Sequence, residues 1–276
     1  MPEPRGRRGR RGPAGEESFR TRAVNGATFF TSRQEHEDLT IVVERFPGLV
    51  AASTRTYLLV HGLGVSSRYF RPLAAELAKT GRVFLVDLPG YGAAPNPRRD
   101  VTLTDHAAVL AGFVREAGLD NPIIIGHSMG TQIVSLLAQK FPDVTDRIVM
   151  MAPTLVPRAR TPWLAIRNLL WDATREPPVV FGIAITDYLI RCGMPYLLRQ
   201  LPHMINDRLE DRVGADRART LVINGDRDTI SPTPWAEALA AAHPDAAFHE
   251  VRGPHVIMYT DPVMIAKHIT DFADAP

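Results

Sequence analysis

The 276-residue chain is 45% hydrophobic, enough for the core of one large domain, and its length does not require two equal ones. A net charge of +2 with 22% charged residues argues against a broad nucleic-acid-binding or strongly acidic surface, since much of the basic excess lies in the first dozen residues. The single cysteine, Cys192, excludes an internal disulfide and a cysteine metal cage, and fits a reducing cytoplasm.

Residues 1–18, MPEPRGRRGRRGPAGEES, combine Arg5, Arg7, Arg8, Arg10 and Arg11 with Gly and Pro and read as a disordered basic tail. No apolar stretch follows these arginines, so no export signal is expected. From residue 20 to 46, alternating and β-branched segments (TRAVNGATFFT, LTIVVERF) predict two antiparallel strands leading into the main domain. Beyond Pro47, short apolar runs at 56–60, 83–86, 123–125, 147–151, 220–223 and 247–251 alternate with helix-patterned stretches. These stretches fall at 69–79, 103–117, 129–141, 234–242 and 262–273, the second with apolar residues at 103, 107, 110 and 114. The alternation predicts an α/β fold, a mostly parallel sheet flanked by helices on both faces.

Between 154 and 216 the alternation stops, and the sequence reads as helices punctuated by Pro162, Pro177, Pro178, Pro195 and Pro202. The expected organisation is a core domain over 19–153 and 217–276, with 154–216 as a helical cap over the carboxyl ends of the strands. The most apolar window in the cap, VVFGIAI at 179–185, is too short to span a bilayer, so no stable membrane insertion is expected. Trp163, Leu169, Trp171, Phe181, Ile185, Tyr188, Met194, Tyr196 and Met204 are cap residues that could line an apolar pocket, although packing among the cap helices accounts for most of them.

In a parallel sheet ligands collect at the carboxyl ends of the strands. The loop after the third run reads GHSMG, a GxSxG pattern whose small flanking residues allow a sharp turn that lifts the Ser128 hydroxyl clear of the backbone. A serine nucleophile needs a base, and the base needs an orienting acid. His255 occupies the loop before the last helix, and Asp226 and Asp228 occupy the loop after the fifth run. Two N–H donors are also needed for the oxyanion, and the backbones of Met129 and Leu63 are placed to supply them. His61 and His127 flank the site and read as loop-stabilising hydrogen bonders, and Asp226 as a turn residue.

The ordered set HGLG, DLPGYG, GHSMG, GDRD followed by Pro232, and GPH resembles the α/β-hydrolase superfamily from about residue 20 to the end. It is similar to the serine-nucleophile branch with a helical cap, which includes esterases, lactonases and perhydrolases. The resemblance implies Asp228 rather than Asp226 as the acid, giving Ser128, Asp228 and His255 as the catalytic set. It also places Thr131 where the family often has glycine, close to the pocket, and puts Ala94 and Pro254 at two further departures.

The expected function is hydrolysis of a carboxylic ester or related acyl substrate, small to medium and hydrophobic, through an acyl-enzyme. Carbon–carbon bond hydrolysis, cofactor-free perhydrolysis and a slow or non-catalytic ligand-binding role are the alternatives on the same residues. The expected partner is a small-molecule substrate, with no nucleic acid, no metal and no organic cofactor. The sequence leaves the oligomeric state open.

Overall fold

A computed structural model describes residues 19–22, 28–50, 53, 55–173, 178–215 and 217–275. The predicted basic tail at 1–18 lies outside the described residues.

Among the described residues nine strands form one sheet: β1 (Phe19–Arg22), β2 (Thr28–His36), β3 (Leu39–Phe46), β4 (Thr56–Val60), β5 (Arg82–Asp87), β6 (Ile123–Ser128), β7 (Arg147–Pro153), β8 (Arg219–Gly225) and β9 (Ala246–Val251). Their spatial order is β1-β2-β3-β5-β4-β6-β7-β8-β9. The pairings β1–β2, β2–β3 and β3–β5 are antiparallel, and all those from β5 to β9 are parallel. The two-strand expectation for 20–46 is met by β2 and β3 and extended by β1, a short edge strand.

The central strands are buried on both faces, which is why they read as unbroken apolar runs. Successive side chains point to opposite faces of a strand. Leu58 and Val60 of β4 therefore join one core with α2 (Leu103–Glu116), α3 (Met129–Lys140) and α7 (Thr233–Ala242), which supply Leu110, Ile133 and Leu239. Tyr57 and Leu59 join the other with α1 (Arg71–Leu77) and α9 (Pro262–Asp274), which supply Leu73, Ile265 and Phe272. The four apolar positions predicted for α2 are all buried, and Thr102 and Asp105 close its amino end as a reciprocal capping box. The helix expected at 69–79 is instead a 3-10 turn, Ser67–Phe70, followed by α1; Pro72 sits in the first turn of α1, where its missing N–H costs nothing.

After β7 the described chain is helical until β8: α4 (Pro162–Ala173), α5 (Pro178–Thr186) extended by a π-helical turn (Asp187–Arg191), and α6 (Met194–Asn206). Buried hydrogen bonds tie this segment to the core elements below it. The Tyr196 hydroxyl donates to Pro89 O (2.8 Å), Gln132 Nε2 to Met204 O (2.9 Å) and Gln200 Nε2 to Val101 O (3.0 Å). Among the described residues no helix is long and apolar enough to cross a membrane.

The chain leaves β4 toward β5 on one side and returns to β6 on the other. The carboxyl ends of β4 and β6 therefore meet at the switch point of the sheet, where a crevice forms.

Candidate active site

Ser128 ends β6 and precedes the first residue of α3, with φ 55° and ψ −120°. A non-glycine residue in that region is strained, and here the neighbours enforce it. A Cβ on Gly126 would lie 2.4 Å from Gly130 O, and one on Gly130 would lie 2.3 Å from Val60 O. Both glycines of the motif are thus required by backbone packed against backbone. Gly62 is nearly as close to the serine, a Cβ there meeting Ser128 Cβ at 3.0 Å.

Thr131 is fully buried, lies outside the cleft lining, and donates from Oγ1 to Ser128 O at 2.6 Å. It braces the turn from below. It stands beside the pocket, behind Ser128 rather than in the cleft wall.

The structure brings His255 and Asp228 together: His255 Nδ1 lies 2.7 Å from Asp228 Oδ2, with both side chains buried. The other carboxylate oxygen of Asp228 accepts from the N–H groups of Ile230 (2.8 Å) and Ser231 (2.9 Å). A carboxylate fixed in this way points its remaining oxygen at the imidazole. Asp226 instead accepts from Gly253 N–H at 2.9 Å, the turn role read from its position.

The two flanking histidines are locked in neutral forms. Leu88 N–H donates to His61 Nε2 (3.1 Å), so Nδ1 carries the proton and donates to Gly62 O (2.8 Å). Gly62 N–H donates to the Tyr69 hydroxyl (3.0 Å), which then donates to His127 Nδ1 (2.9 Å). His127 Nε2–H is left to donate to His255 O (3.1 Å). Burial holds His127 well below the ordinary histidine range and lowers His61, while the Tyr69 hydroxyl is pushed well above its own. Tyr69 is the residue that sequence reasoning missed, because no motif marks it.

Ser128, His255, Gly62 and Leu63 open onto a cavity of about 100 Å³. Its walls include Leu155, Val180, Ile183 and Met204, and among the described residues they contain no Arg or Lys. Of the segment residues offered for a pocket, Phe181, Tyr188 and Met204 line it. Trp163, Trp171, Ile185 and Met194 are exposed, Tyr196 is buried against Pro89, and the Leu169 side chain lies outside the described residues.

A family model for the alpha/beta hydrolase fold matches residues 57–181. The chain is 30% identical over 203 residues to a 2-(acetamidomethylene)succinate hydrolase of Mesorhizobium japonicum, spanning 73% of this chain and 68% of that one. The chain belongs to the α/β-hydrolase family. This α/β-hydrolase is also 35% identical over 147 residues to an sn-1-specific diacylglycerol lipase of Mus musculus, covering 51% and 47% of the two chains. The crystal structure of the enol-lactonase from Burkholderia xenovorans LB400 superposes with a TM-score of 0.76 at 19% identity, covering 88% of this chain and all (100%) of that one. The chain is a hydrolase, and the cleft at the β4–β6 switch point is its candidate active site.

Proposed function

We propose that this hydrolase cleaves a carboxylic ester or related acyl substrate of small to medium size through an acyl-enzyme on Ser128. The observation that carries the reading is the strained turn that presents Ser128 to the same cleft as His255, whose Nδ1 is held by Asp228 at 2.7 Å. Ser128 Oγ attacks the carbonyl carbon while His255 Nε2 takes its proton and later returns it to the leaving alcohol. Water activated by the same imidazole then breaks the acyl-enzyme. Asp228 holds the tautomer and stabilises the imidazolium.

The oxyanion is assigned to the N–H groups of Leu63 and Met129. Gly62 N–H is already given to Tyr69, which supports Leu63 as the donor from the β4 loop. Met129 opens α3, and the N–H groups of a first helical turn have no partner within the helix. Residues 154–216 act as the cap of this cleft, with Val180, Ile183 and Met204 as its apolar roof.

A neutral substrate fits these walls. The succinate group in the name of the Mesorhizobium japonicum relative is anionic, and the described lining offers no cationic side chain to pair with it. Ester hydrolysis measured across acyl lengths tests the reading. Ser128→Ala and His255→Ala are each expected to lower kcat/KM by roughly 10³-fold or more, and a minor loss would mean that other residues do the chemistry.

A further inference from the structure

Between β6 and β7 the register shifts: His127 pairs with Met151 but Ser128 pairs with Pro153, so Ala152 is an extra residue. Its backbone is left-handed, with φ 44°. A bulge of this kind re-aims the side chains that follow it. The next residue after the pair is Thr154, which lines the same cleft as Ser128 and is 1% exposed. Trp235 Nε1 donates to Thr154 O at 2.9 Å and fixes its backbone. Among the described residues, Thr154 Oγ1 has no hydrogen-bond partner.

A buried hydroxyl without a partner is costly, and valine has the same shape without that cost. Leu155, Val180, Met204 and Ile230 line the same cleft and carry no polar side-chain group to pair with the oxygen. An oxygen of a ligand held in the cleft that Thr154 lines would supply the missing partner.

We propose that Thr154 is a specificity-determining residue that hydrogen-bonds an oxygen on the acyl part of the substrate. The inference rests on the acyl-enzyme reading and deepens it. Thr154 follows directly on Pro153, the residue paired with Ser128, so the two stand one residue apart in register across neighbouring segments of the sheet. On this reading the hydroxyl meets an atom two or three bonds from the scissile carbonyl carbon, while Leu63 and Met129 serve the carbonyl oxygen itself. The substrate class is an ester whose acyl group carries an ether, keto or hydroxyl oxygen at that position.

The test uses the full chain and two esters of matched shape, p-nitrophenyl methoxyacetate and p-nitrophenyl butyrate. Intrinsic reactivity cancels when the ratio of their kcat/KM values in a variant is divided by the wild-type ratio. Thr154→Val is expected to cut the methoxyacetate-to-butyrate ratio by about tenfold, the worth of one hydrogen bond, and Thr154→Ser to restore it. A ratio unchanged in Thr154→Val overturns the proposal. Should that variant lose both activities, Thr154→Ala set against Thr154→Ser makes the same comparison. Failure of the underlying reading looks different: the wild type would then cleave neither ester, or would cleave butyrate independently of Ser128, and both inferences fall together.

Discussion

The Tyr69 hydroxyl stands between the loop after β4 and the loop before α8 (Ile257–Thr260), accepting from Gly62 N–H and donating to His127, which in turn donates to His255 O. One phenol thereby sets the orientation of the peptide unit next to Leu63 and, through His127, the backbone of His255. It touches no reacting atom in the proposed mechanism and is a positioning residue. Tyr69→Phe is expected to lower kcat by about tenfold with a smaller change in KM, since misplaced groups cost rate more than binding. Steady-state kinetics on a simple ester, read beside the melting temperature, checks this, because a purely structural role would shift melting and leave kcat alone. Ser128, His255 and the pair Asp226 and Asp228 could be picked out as candidates from local motifs at the strand ends, and the choice of Asp228 rested on the family resemblance. Tyr69 could not, since its value depends on His127, 58 positions away along the chain. Thr131 was visible as an oddity but not as a brace, because the bond to Ser128 O forms only once the turn has formed.

At the scale of elements, the apolar runs and their alternation with helices were legible because a strand covered on both faces cannot hide its composition. The helical segment after β7 was legible as helix and illegible as packing. α5, PVVFGIAIT, is apolar all round, so no stripe in its sequence says which side meets the cleft. What orients it is the π-helical turn that follows, where Asp187 is fully buried. Asp187 accepts from Ser66 N–H (2.9 Å) and Ser66 Oγ (2.6 Å) with one oxygen, and from Arg68 Nη2 (2.7 Å) with the other. One carboxylate thus anchors the helical segment to the loop that carries Leu63. Asp187→Ala would strand those donors and is expected to destabilise the fold by about 3 kcal/mol in urea denaturation. Hydrogen exchange should rise in residues 61–67 and 178–191 well before α9. Uniform exchange across the chain would show that Asp187 is no local anchor.

For the whole molecule, burial of neutral histidines contributes to a loss of stability in acid. His106 is fully buried among Tyr91, Gln200 and the α2 core, and its pKa is lowered from 6.5 to about 4 by desolvation. The unfolded chain binds a proton at this site between those two values and the folded chain does not, so stability falls as pH drops below 6.5 toward 4. From pH 7 to pH 5 the loss from His106 alone is roughly 2 kcal/mol, and the lowered pKa values of His61 and His127 act in the same direction. Urea denaturation at the two pH values measures the loss, and His106→Gln should flatten it. A stability independent of pH across that range would contradict the account. None of this was visible in the sequence, where nine histidines look alike until the fold decides which are buried.

The central claim concerns one atom, the Ser128 hydroxyl oxygen, raised by a strained turn into a cleft that His255 shares. A fluorophosphonate probe followed by intact-mass and peptide mass spectrometry tests it most directly, because such a probe reports an activated serine and not a merely exposed one. The account predicts a single adduct on the folded protein, mapped to Ser128 and abolished by Ser128→Ala. An unlabelled folded protein, or an adduct that persists in Ser128→Ala, would contradict it.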